Sequence, residues 1–153
     1  MKRAKLKIQN NKGLTLQAYL ELPANQKPNR YAIFAHCFTC TSSLSAVKNI
    51  SRALTGYGFG VVRFDFTGLG QSEGEFAESH FSANVEDLIA VSHYLKSHYE
   101  APSLLVGHSL GGAAVLSAAA QLDNIKAVAT IGAPATVSHV KHLFSHGIEE
   151  VNV

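Results

Sequence analysis

The sequence predicts an α/β sandwich built on a mostly parallel sheet and entered through an N-terminal antiparallel hairpin. Three observations carry this expectation. Two short segments near the N-terminus alternate polar and apolar residues around a turn, four later segments are nearly continuous apolar runs, and the stretches between those runs repeat their apolar residues with a helical period.

The alternating segments are Lys5-Leu6-Lys7-Ile8-Gln9 and Leu14-Thr15-Leu16-Gln17-Ala18-Tyr19-Leu20, and Asn10-Asn11-Lys12-Gly13 supplies turn residues between them. They make a hairpin with one wet face. After the loop from Pro23 to Arg30, the runs Ala32-Ile33-Phe34-Ala35, Val61-Val62-Arg63-Phe64, Leu104-Leu105-Val106 and Ala127-Val128-Ala129-Thr130-Ile131 suit parallel strands covered on both faces. The first helix places Leu44, Val47, Ile50 and Leu54 on one side, with Ser42 or Ser43 as its cap and Gly56 at its end. In the second, Phe81, Val85, Leu88, Ile89, Leu95 and Tyr99 recur, and Ser82 followed by Glu86 and Asp87 marks the start. The third is Ala-rich, runs from Leu110 to Leu122 and stops at Asp123-Asn124. No internal repeat, low-complexity tract or linker divides the chain, so residues 1–153 read as one domain.

With 153 residues and 46% hydrophobic content, the chain can bury a core of ordinary size. The 16% charged fraction lies below the roughly 25% of a typical domain, and the net charge is only +2. That balance builds no polyanion-binding surface, so no nucleic-acid partner is expected. Apolar runs end far short of the roughly 20 residues that span a bilayer. Lys5, Lys7, Gln9 and Asn10 break up the stretch where a signal peptide would carry its apolar centre. The chain is therefore read as cytoplasmic and without a membrane partner.

Chemistry enters at Leu104-Leu105-Val106-Gly107-His108-Ser109-Leu110-Gly111-Gly112, which sets G-x-S-x-G at the junction of a buried strand and a helix. As a bare pattern the motif is weak. Its position is what makes it specific, because a nucleophile elbow needs a sharp strand-to-helix turn, with small residues flanking a serine held in a strained conformation. A helix starting there aims free N–H groups and the positive end of its dipole at an oxyanion formed beside Ser109. Leu110 N–H is the expected first donor. The second comes from the loop after the Tyr31 to Ala35 strand, His36-Cys37-Phe38-Thr39-Cys40-Thr41, and is assigned to the backbone of Phe38, with Cys37 the nearest rival. His36, Cys37 and His108 are candidates for lining the site.

These blocks, with Arg63-Phe64-Asp65-Phe66-Thr67-Gly68-Leu69-Gly70-Gln71-Ser72 between them, resemble the α/β-hydrolase fold. More narrowly, the chain is similar to the hydrolase half of bacterial proteins that fuse this fold to an OsmC-type peroxidase domain, from about Leu14 to Phe144. The resemblance implies an α/β-hydrolase-like three-layer sandwich and a serine hydrolase acting on a small carboxylic ester or related acyl compound. It also implies Ser109 as nucleophile, no metal and no cofactor. It assigns Asp65 to loop structure rather than to a catalytic triad. In this fold the chain order is nucleophile, acid, histidine. Downstream of Ser109 the only acids are Asp123, Glu149 and Glu150. Asp123 precedes a strand and so belongs to the wrong edge of the sheet, and no histidine follows Glu149 and Glu150. The triad reads as incomplete and the terminus Ile148-Glu149-Glu150-Val151-Asn152-Val153 as truncated, with little turnover expected. If the final strands are lost, the Ala127 to Ile131 strand becomes an exposed edge that invites self-association.

Other readings compete. A non-catalytic binding module, or a fragment completed by another segment, is the main alternative. Cys37 and Cys40 form a C-x-x-C beside a helix start, a setting for thiol redox chemistry; two small residues lining the oxyanion loop is the plainer account. Gly68-Leu69-Gly70 fails as a dinucleotide loop because position 73 is Glu. His139, His142 and His146 share a helix face at metal-ligand spacing, but without a carboxylate or cysteine partner to complete a site a solvated face is preferred. His93 and His98 read as helix-surface residues.

Overall fold

A computed structural model describes residues 1–38 and 40–135. Strand β1 (Lys2–Gln9) and strand β2 (Thr15–Leu22) form the hairpin, followed by β3 (Arg30–Ala35), α1 (Ser45–Gly56), β4 (Phe59–Phe64), α2 (Phe81–His98), β5 (Leu104–His108), α3 (Leu110–Ala119) and β6 (Ala127–Ile131). The strands form one sheet in the order β1-β2-β4-β3-β5-β6. β1 and β2 pair antiparallel, as do β2 and β4, whereas β4, β3, β5 and β6 run parallel. The expected α/β sandwich, with its antiparallel entry, is the fold observed.

The core explains the order. Ile33, Val62, Phe64 and Leu105 from the sheet meet Leu88, Val91 and Leu95 of α2 and Ala114, Val115 and Ala118 of α3 in one cluster. On the other face, Phe34 and Val106 pack against Val47 of α1. Ala residues in α3 let that helix lie close to β5, where a larger side chain would hold it away.

Several local readings change. Neither Ser42 nor Ser43 caps α1; the cap position is Leu44, with no side-chain hydrogen bond. The helix starts at Ser45, so Ser42 and Ser43 both precede the cap position, and Ser42 N–H donates to Asp65 Oδ1 (2.7 Å). α2 begins at Phe81 rather than Ser82. α3 ends at Ala119, short of Leu122. The hairpin's wet face belongs to β1 alone, because β2 is an interior strand whose polar Gln17 and Glu21 are buried. β6, expected to be covered on both faces, is instead largely exposed among the described residues.

Two buried polar clusters tie the layers together. Arg63 of β4 is 1% exposed and donates through Nε and Nη2 to Glu21 Oε1 (3.2 and 3.1 Å) and through Nη1 to Ser42 O (2.6 Å), with its guanidinium 4.5 Å from the Tyr19 ring centre. Asp87 of α2 accepts from Thr67 N–H (2.8 Å), Thr67 Oγ1–H (3.0 Å) and Asn10 Nδ2–H (3.0 Å). Asn10 Oδ1 accepts from Lys12 and Leu14 N–H, so one side chain both shapes the hairpin turn and pins it to α2. Burial raises the Asp87 carboxyl pKa above 3.8, against the opposing pull of the bonds from Thr67 and Asn10.

Removing one member of a buried ion pair leaves the other charge uncompensated. Arg63→Met is therefore expected to cost about 3–5 kcal/mol in urea unfolding, with part of the loss recovered on adding Glu21→Leu. An additive double variant would show that the pair is not coupled. For Asp87 the sign runs the other way from a salt-bridged acid: the folded state holds the proton more tightly, so its contribution to stability falls as pH rises through the raised value. Wild type should gain stability relative to Asp87→Asn as pH falls from neutrality towards 3.8, measured by urea titration at each pH. The opposite trend would mean that the hydrogen bonds outweigh the burial.

Candidate active site

Ser109 stands where β5 hands over to α3, with φ 55° and ψ −124°. It is the only non-glycine residue at positive φ among the described residues. A conformation of that kind costs on the order of 1–3 kcal/mol and persists only where its surroundings impose it. Here both backbone groups of Ser109 are held: its N–H donates to Ile131 O (2.9 Å) on β6, and its carbonyl accepts from Gly112 N–H (2.8 Å).

The flanking glycines are required by close approach. A Cβ on Gly107 would lie 2.4 Å from Gly111 O, and one on Gly111 would lie 2.4 Å from His36 O and 2.5 Å from Ala35 O. The first turn of α3 thus rests directly on the end of β3, and this contact brings the elbow against the expected oxyanion loop. Ser109 is partly exposed, while Leu110 and Gly111, whose N–H groups open the helix, are buried.

The loop after β3 is braced from within. Cys40 N–H donates to Cys37 O (3.1 Å), and a disulfide joins Cys37 to Cys40. The cysteines thus line the loop as a covalent staple rather than as two separate thiols. His36 is fully buried; its Nδ1 lies against Cys37 O, and its Nε2 lies 3.8 Å from Asp65 Oδ1. Burial pushes the His36 pKa below 6.5 against the opposing influence of Cys37 O and Asp65, so the ring is neutral at pH 7 and donates from Nδ1. Asp65 accepts from Ser42 and Gln71 N–H (2.7 and 3.1 Å), tying the loops after β3 and β4 together, as its loop role implied. Phe38 meets Phe66 and Phe76 edge-on, at 6.2 and 5.4 Å between ring centres, and forms an apolar wall behind the loop.

The sequence-assigned residues divide cleanly. Ser109, Leu110, His108, His36, Cys37 and Phe38 gather at the carboxyl ends of β3 and β5. Asp123 does not: Asn124 Nδ2–H donates to Pro102 O and Lys126 N–H to Ser103 O, which puts this turn at the opposite end of β5. His139, His142, His146, Glu149 and Glu150 lie outside the described residues. His93 and His98 are exposed on α2, with His98 stacked on Tyr94 at 4.1 Å. A cavity of about 820 Å³ between β1 and α2 is lined by Lys7, Asn10, Glu86 and His93 and includes no elbow residue. Three features escaped the sequence reading: the Glu21–Arg63 pair, the Asp87 cluster and the closeness of His108 to the cysteines. An arginine interrupting an apolar strand was the only sequence signal for any of them.

A family model described as serine aminopeptidase, S33, matches residues 26–149. The chain belongs to this α/β-hydrolase family. It is 37% identical over 87 residues to the mitochondrial palmitoyl-protein thioesterase ABHD10 of Mus musculus, covering 57% of this chain and 27% of that protein. Among solved structures, the esterase domain of a Rhodothermus marinus protein shares 51% identity, with a TM-score of 0.78, over 93% of this chain and 55% of that one. Est1E from Butyrivibrio proteoclasticus, solved with ferulic acid, shares 31% identity, with a TM-score of 0.74, over 80% of this chain and 50% of that one. The chain thus spans about half the length of these structures. No helix among the described residues of this α/β-hydrolase is long and apolar enough to cross a membrane.

Because the elbow has no room for a Cβ, Gly111→Ala is expected to destabilise the protein by about 3 kcal/mol by displacing α3 from β3. Thermal unfolding checks this; an unchanged midpoint would mean that the contact is slack.

Proposed function

We propose that this chain carries the nucleophile and oxyanion hole of a serine esterase or thioesterase acting on a small apolar acyl ester or thioester. The observation that carries the reading is the positive φ of Ser109 at a strand-to-helix turn with glycines on both sides. In this mechanism Ser109 Oγ attacks the acyl carbonyl, the Leu110 and Phe38 N–H groups stabilise the tetrahedral oxyanion, and collapse expels an alcohol or thiol to leave an acyl-serine that water hydrolyses. The Phe38, Phe66 and Phe76 wall favours an apolar acyl group, consistent with the palmitoyl-protein and ferulic acid named for two relatives.

The general base comes from outside the described residues. Asp123 lies at the far end of β5, and His36 is sealed beneath the loop facing Asp65. Without a base serine remains a neutral alcohol and a weak nucleophile, so turnover depends on a base that lies outside the described residues. A non-catalytic binding module is the second reading, favoured by the absence of a placed base among the described residues.

A fluorophosphonate probe separates the two. Slow labelling confined to Ser109 and lost in Ser109→Ala, read by intact-mass and peptide mass spectrometry, is expected. Folded wild-type protein that takes no label, or label that survives Ser109→Ala, would overturn the assignment.

A further inference from the structure

We infer that, once the Cys37–Cys40 disulfide is reduced, Cys37, Cys40 and His108 form a three-ligand site for a thiophilic divalent cation of the zinc class. The metal-ligating atoms of these three residues all lie within 4.8 Å of one another. A tetrahedral ion bound at ~2.3 Å to sulfur and ~2.0 Å to nitrogen holds its ligand atoms about 3.5–3.8 Å apart, so once the S–S bond is broken the two sulfurs need only separate to that spacing, with the His108 ring nitrogen within 4.8 Å of both. The C-x-x-C spacing is that of a zinc-binding knuckle, and its two cysteines stand 5.2 Å apart at Cα.

The sheet supplies the third ligand. Ala35 of β3 is paired with Gly107 of β5, so the residues that follow in each strand leave the sheet side by side, the cysteine loop on one and His108 on the other. Cys37 is buried, while Cys40 and His108 are partly exposed, which gives the ion a solvent-facing route and a fourth position for water. A Cys₂His set with one open position fits zinc better than magnesium or calcium, which prefer oxygen ligands.

The chemistry balances. An external dithiol delivers two electrons and two protons, the Cys37–Cys40 bond breaks to two thiols, and the dithiol closes to its own disulfide. Binding then releases the two thiol protons as the sulfurs become thiolate ligands. The oxidised chain offers only one of the three ligands, so the disulfide and the ion exclude each other at one place. Metal uptake is read with no substrate present, and its outcome is independent of whether Ser109 is a working nucleophile.

The test uses the whole chain reduced with a phosphine, then cleared of reductant and titrated with cobalt(II) and with zinc against a chromophoric chelator. One cobalt per chain with a tetrahedral d–d spectrum and thiolate-to-metal charge transfer is expected, displaced by zinc and absent from the oxidised protein. Cys40→Ser and His108→Gln should each weaken zinc binding by roughly tenfold or more. On wild-type protein, zinc should protect both thiols from iodoacetamide, read by mass spectrometry, which keeps the test decisive if a variant misfolds. Cobalt bound without charge transfer, undiminished zinc affinity in His108→Gln, or equal alkylation with and without zinc would each overturn the site.

Discussion

The structure depends on one contact without side chains. Where α3 begins, the backbone of Gly111 rests on the carbonyls that end β3, and Gly107 rests on Gly111. No Cβ fits at either position, so the helix start, the turn at Ser109 and the loop after β3 form one rigid junction. The strain at Ser109 is held there because its N–H is committed to β6 and its carbonyl to Gly112. A serine in a relaxed turn would need neither the glycines nor the sixth strand.

Beneath that junction lies a layer of polar groups that a purely apolar core would lack. His36 touches the cysteine turn above and Asp65 to the side, Asp65 gathers the amides of Ser42 and Gln71, and Arg63 reaches Ser42 O from the neighbouring strand. The loops after β3 and β4 are thereby anchored to buried side chains in addition to their own local hydrogen bonds. Ser42 is held by this network through its backbone N–H and lies two residues before the α1 cap position, Leu44.

The cysteine turn sits at the meeting point of these layers. It carries the expected oxyanion donor, it closes on itself through a disulfide, and it faces His108, the residue before Ser109. A chemical change at the two sulfurs is therefore felt within one residue of Ser109 on one side and at Phe38 on the other.

Residue patterning by itself determined the layers. Continuous apolar runs marked β3, β4 and β5, helical spacing marked α1 to α3, and Gly107-His108-Ser109-Leu110-Gly111 marked the elbow, because period, propensity and turn chemistry are local and are written in consecutive residues. Tertiary structure decided what those layers bring into contact. The strand order β2-β4-β3-β5 sets Glu21 beside Arg63 and the Cys37 turn beside His108, while the crossing of α2 behind the hairpin sets Asp87 against Asn10 and Thr67. These partners are separated by 42 residues for Glu21 and Arg63 and by 77 for Asn10 and Asp87. Pairing across such distances depends on strand order and register, which no local period records.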